Sequence, residues 1–234
     1  MAAREIARLL RFPSAIKIDT FVKGRVELLK FRLKPEFQLD HFPVCKLQEK
    51  FRSDLLVAGV ERGSEVFIPD GNFLLKDGDY ITLITSPKNA ASFFQRVGLK
   101  THQVKNCMIV GCGTLGYYLA KQLLEMKIDV RIVDHSRERC ETLSELLPDA
   151  TIICGDGSDR KLLMEEGLDM AESFVTLTNL DEENVLLSLF AKDVSSAKII
   201  TKVNRLAFDD LIQKLDLGSV IYPKYLTADY ILQY

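Results

Sequence analysis

The sequence predicts an α/β protein in two parts: a small α+β lobe, then, from about residue 104, a doubly wound parallel sheet. Three observations carry this. Apolar residues before residue 100 come in short strand-like runs separated by turn clusters. After residue 103, compact apolar runs alternate with stretches of helical period. A glycine-rich loop joins the first such run to the first such helix. Strands alternating with helices imply parallel pairing and right-handed crossovers.

In the first part, residues 25–33 place Val26, Leu28, Phe31 and Leu33 in a pattern that suits a half-buried strand, and Pro35 ends it. Residues 41–51 read as a short helix. Residues 55–61, 65–68 and 80–85 read as strands. Turn clusters separate them: Arg62-Gly63, Pro69-Asp70-Gly71-Asn72 and Lys76-Asp77-Gly78-Asp79. Residues 90–97 read as a closing helix.

In the second part, residues 104–110 form the first strand. Leu115, Leu119, Leu123 and Met126 then share one face of a helix over 114–126. Strands follow at 128–133, 150–154, 173–177, 198–203 and 219–222. Helices fit between them at 137–147, 159–166, 182–193 and 207–215.

Composition excludes several classes. The 234 residues are 47% hydrophobic and 27% charged, as in an ordinary globular protein. A formal net charge of −2 does not suit a coat for nucleic acid. The basic stretch 23–34 is interleaved with apolar residues and reads as a solvated strand face. No run of about 18 apolar residues is present, and residues 1–10 have no signal-peptide pattern. The five cysteines, at 45, 107, 112, 140 and 154, include no CxxC pair and fit neither a zinc site nor a disulfide framework, so they read as reduced thiols. Cys112, inside the glycine loop, reads as a small filler, with a redox-sensing thiol as the alternative.

That loop carries the chemistry. Gly111-Cys112-Gly113-Thr114-Leu115-Gly116 is a GxGxxG sequence between a strand and a helix, and Asp134 closes the next strand. The first glycine permits a tight turn, the second lets a pyrophosphate approach the backbone, and the third brings helix and strand together. The helix N-terminus offers unpaired N–H groups and a positive dipole end. Asp134 suits the ribose hydroxyls and repels a 2′-phosphate, which favours NAD(H) over NADP(H). Arg137 and Arg139 lie near enough in sequence to weaken that preference. His135 follows at the adenosine end. These features predict a Rossmann-type nucleotide-binding domain.

Loops after the later strands supply further candidates, since such sheets bind ligands at their carboxyl ends. Gly155-Asp156-Gly157-Ser158 is placed to edge the adenine. Thr178-Asn179-Leu180-Asp181 is placed to reach the phosphates or the second ribose. Lys202 and Arg205 are placed to neutralise phosphate. Ser158, Asn179 and Asp181 also suit plain helix N-capping, and Lys202 and Arg205 also suit solvated or interface charges.

An enzyme reading finds little support. Of the three histidines, His41 lies in the strand-rich half, His102 in the linker and His135 at the adenosine end, so none suits a hydride-transfer site. An NAD-dependent oxidoreductase and a ligand-free scaffold lobe are the rival readings.

The motifs resemble the TrkA family of potassium-transport regulators, built of RCK domains (regulators of potassium conductance). The run from Val110 to Gly116, with Gly155-Asp156-Gly157-Ser158, Thr178-Asn179-Leu180-Asp181-Glu182-Glu183-Asn184 and Lys202-Val203-Asn204-Arg205, is similar to an RCK N-lobe. Arg62-Gly63, Ile68-Pro69-Asp70-Gly71 and Leu75-Lys76-Asp77-Gly78-Asp79 are similar to the small C-lobe. The resemblance implies a tail of a preceding unit at 1–22, a C-lobe at 23–98, an N-lobe at 104–222 and a crossover helix at 223–234. That order, C-lobe before N-lobe, implies the middle of a tandem pair.

The resemblance further implies a cytoplasmic protein, peripheral on the inner face of the cell membrane. Its partners would be further copies of itself, as a dimer or ring of lobes, and a TrkH/TrkG-like potassium-transporting subunit. NAD(H), with ATP or ADP as the alternatives, would alter ring shape and gate uptake. Thr114 stands where many such lobes place an arginine, which favours NAD(H) over ATP. The helix from Lys224 onward, with apolar Tyr225, Leu226, Ile231 and Leu232, would be the lever.

Overall fold

The computed structural model describes residues 1–13, 15–21, 25–63, 65–97, 103–205, 212, 214, 215 and 217–225. His102, most of the expected 207–215 helix, and Leu226, Ile231 and Leu232 lie outside the described residues. The chain divides into two compact units, Arg11–Gln103 and the pair of segments Met1–Leu10 and Val104–Tyr234.

The first helix, α1 (Ala2–Arg11), opens the larger unit. It is strongly amphipathic and buries Ile6, Leu9 and Leu10. Each such side chain contributes about 1.5–3 kcal/mol on leaving water. The Val104 N–H donates to the Leu10 carbonyl at 3.1 Å.

The smaller unit is built on a five-stranded antiparallel sheet ordered β1-β2-β5-β3-β4. Its strands are β1 (Lys17–Phe21), β2 (Val26–Arg32), β3 (Leu55–Arg62), β4 (Glu65–Phe67) and β5 (Tyr80–Thr85). Residues 1–22 divide between the units: α1 joins the larger one, and β1 pairs with β2 from Lys17–Lys30 to Phe21–Val26. Ile18 on β1 is fully buried, which gives that strand its place in the sheet.

Residues 41–51 begin later as a helix than expected. A 3-10 turn (Val44–Lys46) leads into α2 (Leu47–Phe51). His41 adopts φ 55°, and Pro43 bridges to Leu74, so neither residue can join the helix. Helix α3 (Pro87–Arg96) starts earlier than expected because Ser86 caps it, accepting from the Asn89 amide, and proline suits a first helical turn. Its Phe93 and Phe94 pack on Phe31 of β2 with ring centroids 5.7 and 5.5 Å away.

Asp79 explains the turn signature of this unit. Its buried carboxylate takes both the Nε and an Nη of Arg62 at 2.8 Å, and also the Lys76 amide at 2.8 Å. That bidentate pair fastens the end of β3 to the turn before β5.

The larger unit carries a six-stranded, all-parallel sheet ordered β11-β10-β9-β6-β7-β8. The strands are β6 (Asn106–Val110), β7 (Asp129–Asp134), β8 (Thr151–Cys154), β9 (Ser173–Thr176), β10 (Lys198–Lys202) and β11 (Ser219–Ile221). The helices are α4 (Thr114–Glu125), α5 (Arg137–Leu146), α6 (Arg160–Glu165) and α7 (Asp181–Val194). Numbered within this unit, the order is 3-2-1-4-5-6, the doubly wound arrangement expected from the strand–helix alternation. The order in which strands are added reverses between β6 and β9, the switch point at which such sheets bind ligands. Met108, Val110, Val133, Leu163, Phe174 and Leu187 form one core cluster of this sheet and its helices.

Candidate functional site

In doubly wound sheets ligands bind at the carboxyl ends of the strands, and the loops after β6, β7, β9 and β10 stand at that end here. The glycine loop starts at Gly111, whose amide donates to the Val133 carbonyl at 2.9 Å. Gly111 has φ +85°, and a Cβ there would stand 2.8 Å from the Thr178 nitrogen. Only glycine allows both the left-handed turn and this contact between the loops after β6 and β9. Gly116, Gly155 and Gly157 also meet close neighbours, namely Cys112, Leu162 and Val110. Their lack of a side chain serves packing.

Gly113 is different. A Cβ built on it meets nothing within 4 Å, and its φ of −73° suits any residue. Among the described residues, nothing requires glycine there. It caps α4 without a side chain, and the helix N-terminus faces outward with its dipole uncompensated by any acid in the first turn.

Asp134 anchors the second wall. Its side chain is almost fully buried at the end of β7. The carboxylate accepts from the Cys112 amide at 2.8 Å and from the Ser136 amide at 2.9 Å. An Nη of Arg139 lies 3.1 Å from Oδ2. Burial pushes the Asp134 pKa up, but the two amides and Arg139 outweigh it and hold the carboxyl below its ordinary value. Asp134 is thus an ionised acceptor tied to the glycine loop. His135 beside it is exposed, with Nδ1 4.0 Å from Asp134 Oδ1. Asp156 turns on itself, accepting from the Ser158 amide and hydroxyl at 2.8 Å.

The third wall is the 178–181 loop. Its geometry rests on Asn184, fully buried on α7 and absent from the residues picked out by sequence. Asn184 accepts from the Thr178 amide and hydroxyl, each at 2.9 Å, and donates to the carbonyls of Thr178 and Lys202 at 3.1 Å. Its signal was present in the sequence as the last residue of Thr178-Asn179-Leu180-Asp181-Glu182-Glu183-Asn184. Ser136 and Arg139, close in sequence to Asp134, also join the site.

Asp181 is hydrogen-bonded within the protein. It accepts from the Asn204 and Arg205 amides at 2.9 and 3.0 Å, and from the Asn204 side chain at 2.9 Å. Burial raises its pKa, and these donors together lower it below the ordinary value. Arg205 pairs with Asp181 and with Glu182. Lys202 is buried, with Nζ 3.2 Å from the Leu177 carbonyl, and burial pushes its pKa down. Neither Ser158 nor Asp181 caps a helix: Asp159 caps α6, and Leu180 holds the cap position of α7. The site residues thus fall into two groups. The 111–116 loop is tied to Asp134 and lies against Thr178, with His135 and the 155–157 turn beside Asp134; Asp181, Lys202 and Arg205 are bonded to partners within the protein. Asn179 and Leu180 are exposed on the loop between them.

Among the described residues, no three His, Cys, Asp or Glu side chains gather as metal ligands. No helix among them is long and apolar enough to cross a membrane.

Family models and known proteins match this arrangement. Residues 107–223 match the TrkA-N domain and residues 45–98 the TrkA-C domain. A "Trk system potassium uptake protein trkA homolog 1" of Methanosarcina mazei is 32% identical over 234 residues, 99% of this chain and 57% of that protein. The "Trk system potassium uptake protein TrkA" of Vibrio alginolyticus is 28% identical over 97% of this chain and 50% of its own length. The chain therefore spans about half the length of these curated relatives. Among solved structures, "GsuK channel bound to NAD" superposes with a TM-score of 0.63 at 17% identity, covering 98% of this chain and 41% of that one. That likeness is one of fold. With both lobe types matched in sequence and the sheet order in place, the chain belongs to the TrkA family of potassium-uptake regulatory proteins.

Proposed function

We propose that this chain senses NAD(H) as part of a cytoplasmic regulatory subunit of a Trk-type potassium uptake system. The observation that carries the reading is Gly113. Its missing side chain faces open space, and a pyrophosphate is what such a gap at a helix N-terminus accommodates. Thr114, Leu115 and Gly116 supply first-turn amides for the phosphates. Asp134 supplies the acceptor for ribose hydroxyls. To receive them, the carboxylate keeps its two amide bonds and exchanges Arg139, whose side chain is half exposed, for the sugar. Gly155, Asp156 and Gly157 edge the adenine, and Thr178 faces the phosphates. ATP and ADP share the adenosine and phosphate chemistry and are the alternative ligands.

The role is regulatory, not catalytic. The relatives carry potassium-uptake names, which supports a regulatory role. A ligand that gates transport must bind two arrangements with different affinity, typically by about 1–3 kcal/mol, and the transporter alters nucleotide affinity by the same amount. The partner is the membrane subunit that conducts potassium, with further copies of the chain completing the assembly on the inner face of the membrane. Residues 23–98 act as the C-lobe and 104–222 as the N-lobe.

Calorimetric titration with NADH, NAD⁺, NADPH, ATP and ADP tests the reading. NADH or NAD⁺ binding that disappears in Gly113→Val supports it. Absence of binding by all five nucleotides overturns it in favour of a scaffold lobe, and turnover of NADH with a small carbonyl substrate would point to an oxidoreductase.

A further inference from the structure

All five cysteines are free thiols, and three of them converge on Asp134. Cys112 sits in the glycine loop with its amide on the Asp134 carboxylate. Cys154 ends β8 directly opposite Asp134 in the β7–β8 pairing. Cys140 lies on the first turn of α5, and its thiol donates to the Asp134 carbonyl at 3.3 Å. The same carbonyl accepts the Gly155 amide at 3.0 Å. One carbonyl therefore holds the Cys140 sulfur beside the Cys154–Gly155 peptide. Cys154 is open to solvent while Cys140 is buried.

We propose that Cys140 and Cys154 form a reversible disulfide at the adenosine edge of the crevice, with a low-molecular-weight disulfide such as oxidised glutathione as the oxidant. The exposed Cys154 reacts first. Its sulfur, losing its proton to solvent, attacks one sulfur of the oxidant; a mixed disulfide forms and one glutathione thiolate leaves. The Cys140 sulfur then attacks Cys154, its proton passing to the second departing glutathione thiolate. Two protein thiols are oxidised by two electrons, and one glutathione disulfide is reduced to two thiols.

The other buried thiols are poor competitors. Burial pushes Cys107 and Cys112 up to about 12. Burial also raises Cys140, to about 11, so entry falls to the solvent-exposed Cys154, and the place of Cys140 next to the end of β8 makes it the second thiol. The bond would fasten the α5 turn that carries Ser136 and Arg139, two of the partners of Asp134, to the end of β8. The pair stands on its own geometry and does not require that a nucleotide bind.

The test uses the unmodified protein. It is incubated folded with oxidised glutathione, then unfolded in denaturant with iodoacetamide and digested with trypsin. Cleavage after Arg139 and Arg160 releases one peptide holding both cysteines, with no lysine or arginine between them. The expected result is that this peptide is unalkylated and lighter by two hydrogens, and is restored by dithiothreitol before blocking. Alkylation of both cysteines, a glutathione adduct that persists on Cys154, or a cross-link to the tryptic peptide holding Cys107 and Cys112 would each overturn the pairing. NADH binding by the reduced protein is measured alongside. Intact binding with no disulfide sinks this proposal alone, whereas a disulfide with no binding sinks the nucleotide reading alone.

Discussion

Replacing Gly113 with valine separates a glycine kept for a ligand from one kept for the fold. The new Cβ meets nothing within 4 Å, and φ of −73° with ψ of −163° is extended backbone that valine adopts readily. An aliphatic residue at a helix N-cap costs about 1 kcal/mol relative to good caps and less relative to glycine. Removing a glycine from the unfolded chain returns about 0.4–1 kcal/mol. Stability should therefore change by less than about 1 kcal/mol. Binding should change far more. A branched side chain in the pyrophosphate's place removes at least two hydrogen bonds to a charged group at about 1.5 kcal/mol each, and about 3 kcal/mol is roughly a 100-fold loss of affinity.

Gly111→Ala is the contrast. Its Cβ would stand 2.8 Å from backbone atoms of Thr178 at φ +85°, so this change should destabilise the fold by about 1–3 kcal/mol. Urea unfolding and NADH calorimetry on both variants give four numbers. Gly113→Val binding NADH within about threefold of the parent would refute the argument, since less than about 0.7 kcal/mol leaves no room for a steric block. So would Gly113→Val unfolding as readily as Gly111→Ala.

Three further outcomes follow from the hydrogen-bond arrangement. Asn184→Ala removes four hydrogen bonds that join the Thr178 loop to β10 and should cost about 2–4 kcal/mol by urea unfolding, with weaker NADH binding in whatever remains folded. Asp79→Ala should cost about 3 kcal/mol in the unfolding of the smaller unit; the Arg62 side chain is 30% exposed and can reach water, which keeps the loss at the low end for a broken buried pair. Asp134 and Asp181 both have depressed folded pKa values, so their stabilisation is complete above the ordinary carboxylate value of 3.8 and is lost as pH falls through the lower folded values. The urea midpoint should therefore be flat near neutrality and fall below about pH 4, more shallowly in Asp181→Asn; an unchanged slope in that variant would show that Asp181 is not part of the acid response.

Most of the larger unit was legible in the sequence because its signals are local. Alternating apolar runs and helical stretches, glycine at the tight turn and an acid ending the second strand each depend on neighbours in the chain. Helix α3 and the α2 region shifted because capping by Ser86 and the turn at His41 and Pro43 are decided by side-chain and backbone contacts that periodicity does not register. Strand β1 was missed because it pairs with β2 only after the chain folds back, and its own five residues carry little apolar pattern. The pairing of Asp181 with Arg205, across more than twenty residues of sequence, was hidden for a similar reason.

The sequence by itself determined the doubly wound sheet, the glycine loop, the acid that ends the next strand and the family, because each is written in residue types at fixed spacing. The tertiary structure decided which of those residues are free to act. It left Gly113 facing open space, tied Asp134 to Cys112 and Ser136, committed Asp181 to Arg205, and brought the Cys140 sulfur beside the Cys154–Gly155 peptide. Spacing along a chain fixes where a side chain starts, but whether its polar atoms are spent on the protein or left for a ligand depends on what packs against them from distant strands, and that is settled only when the chain closes on itself.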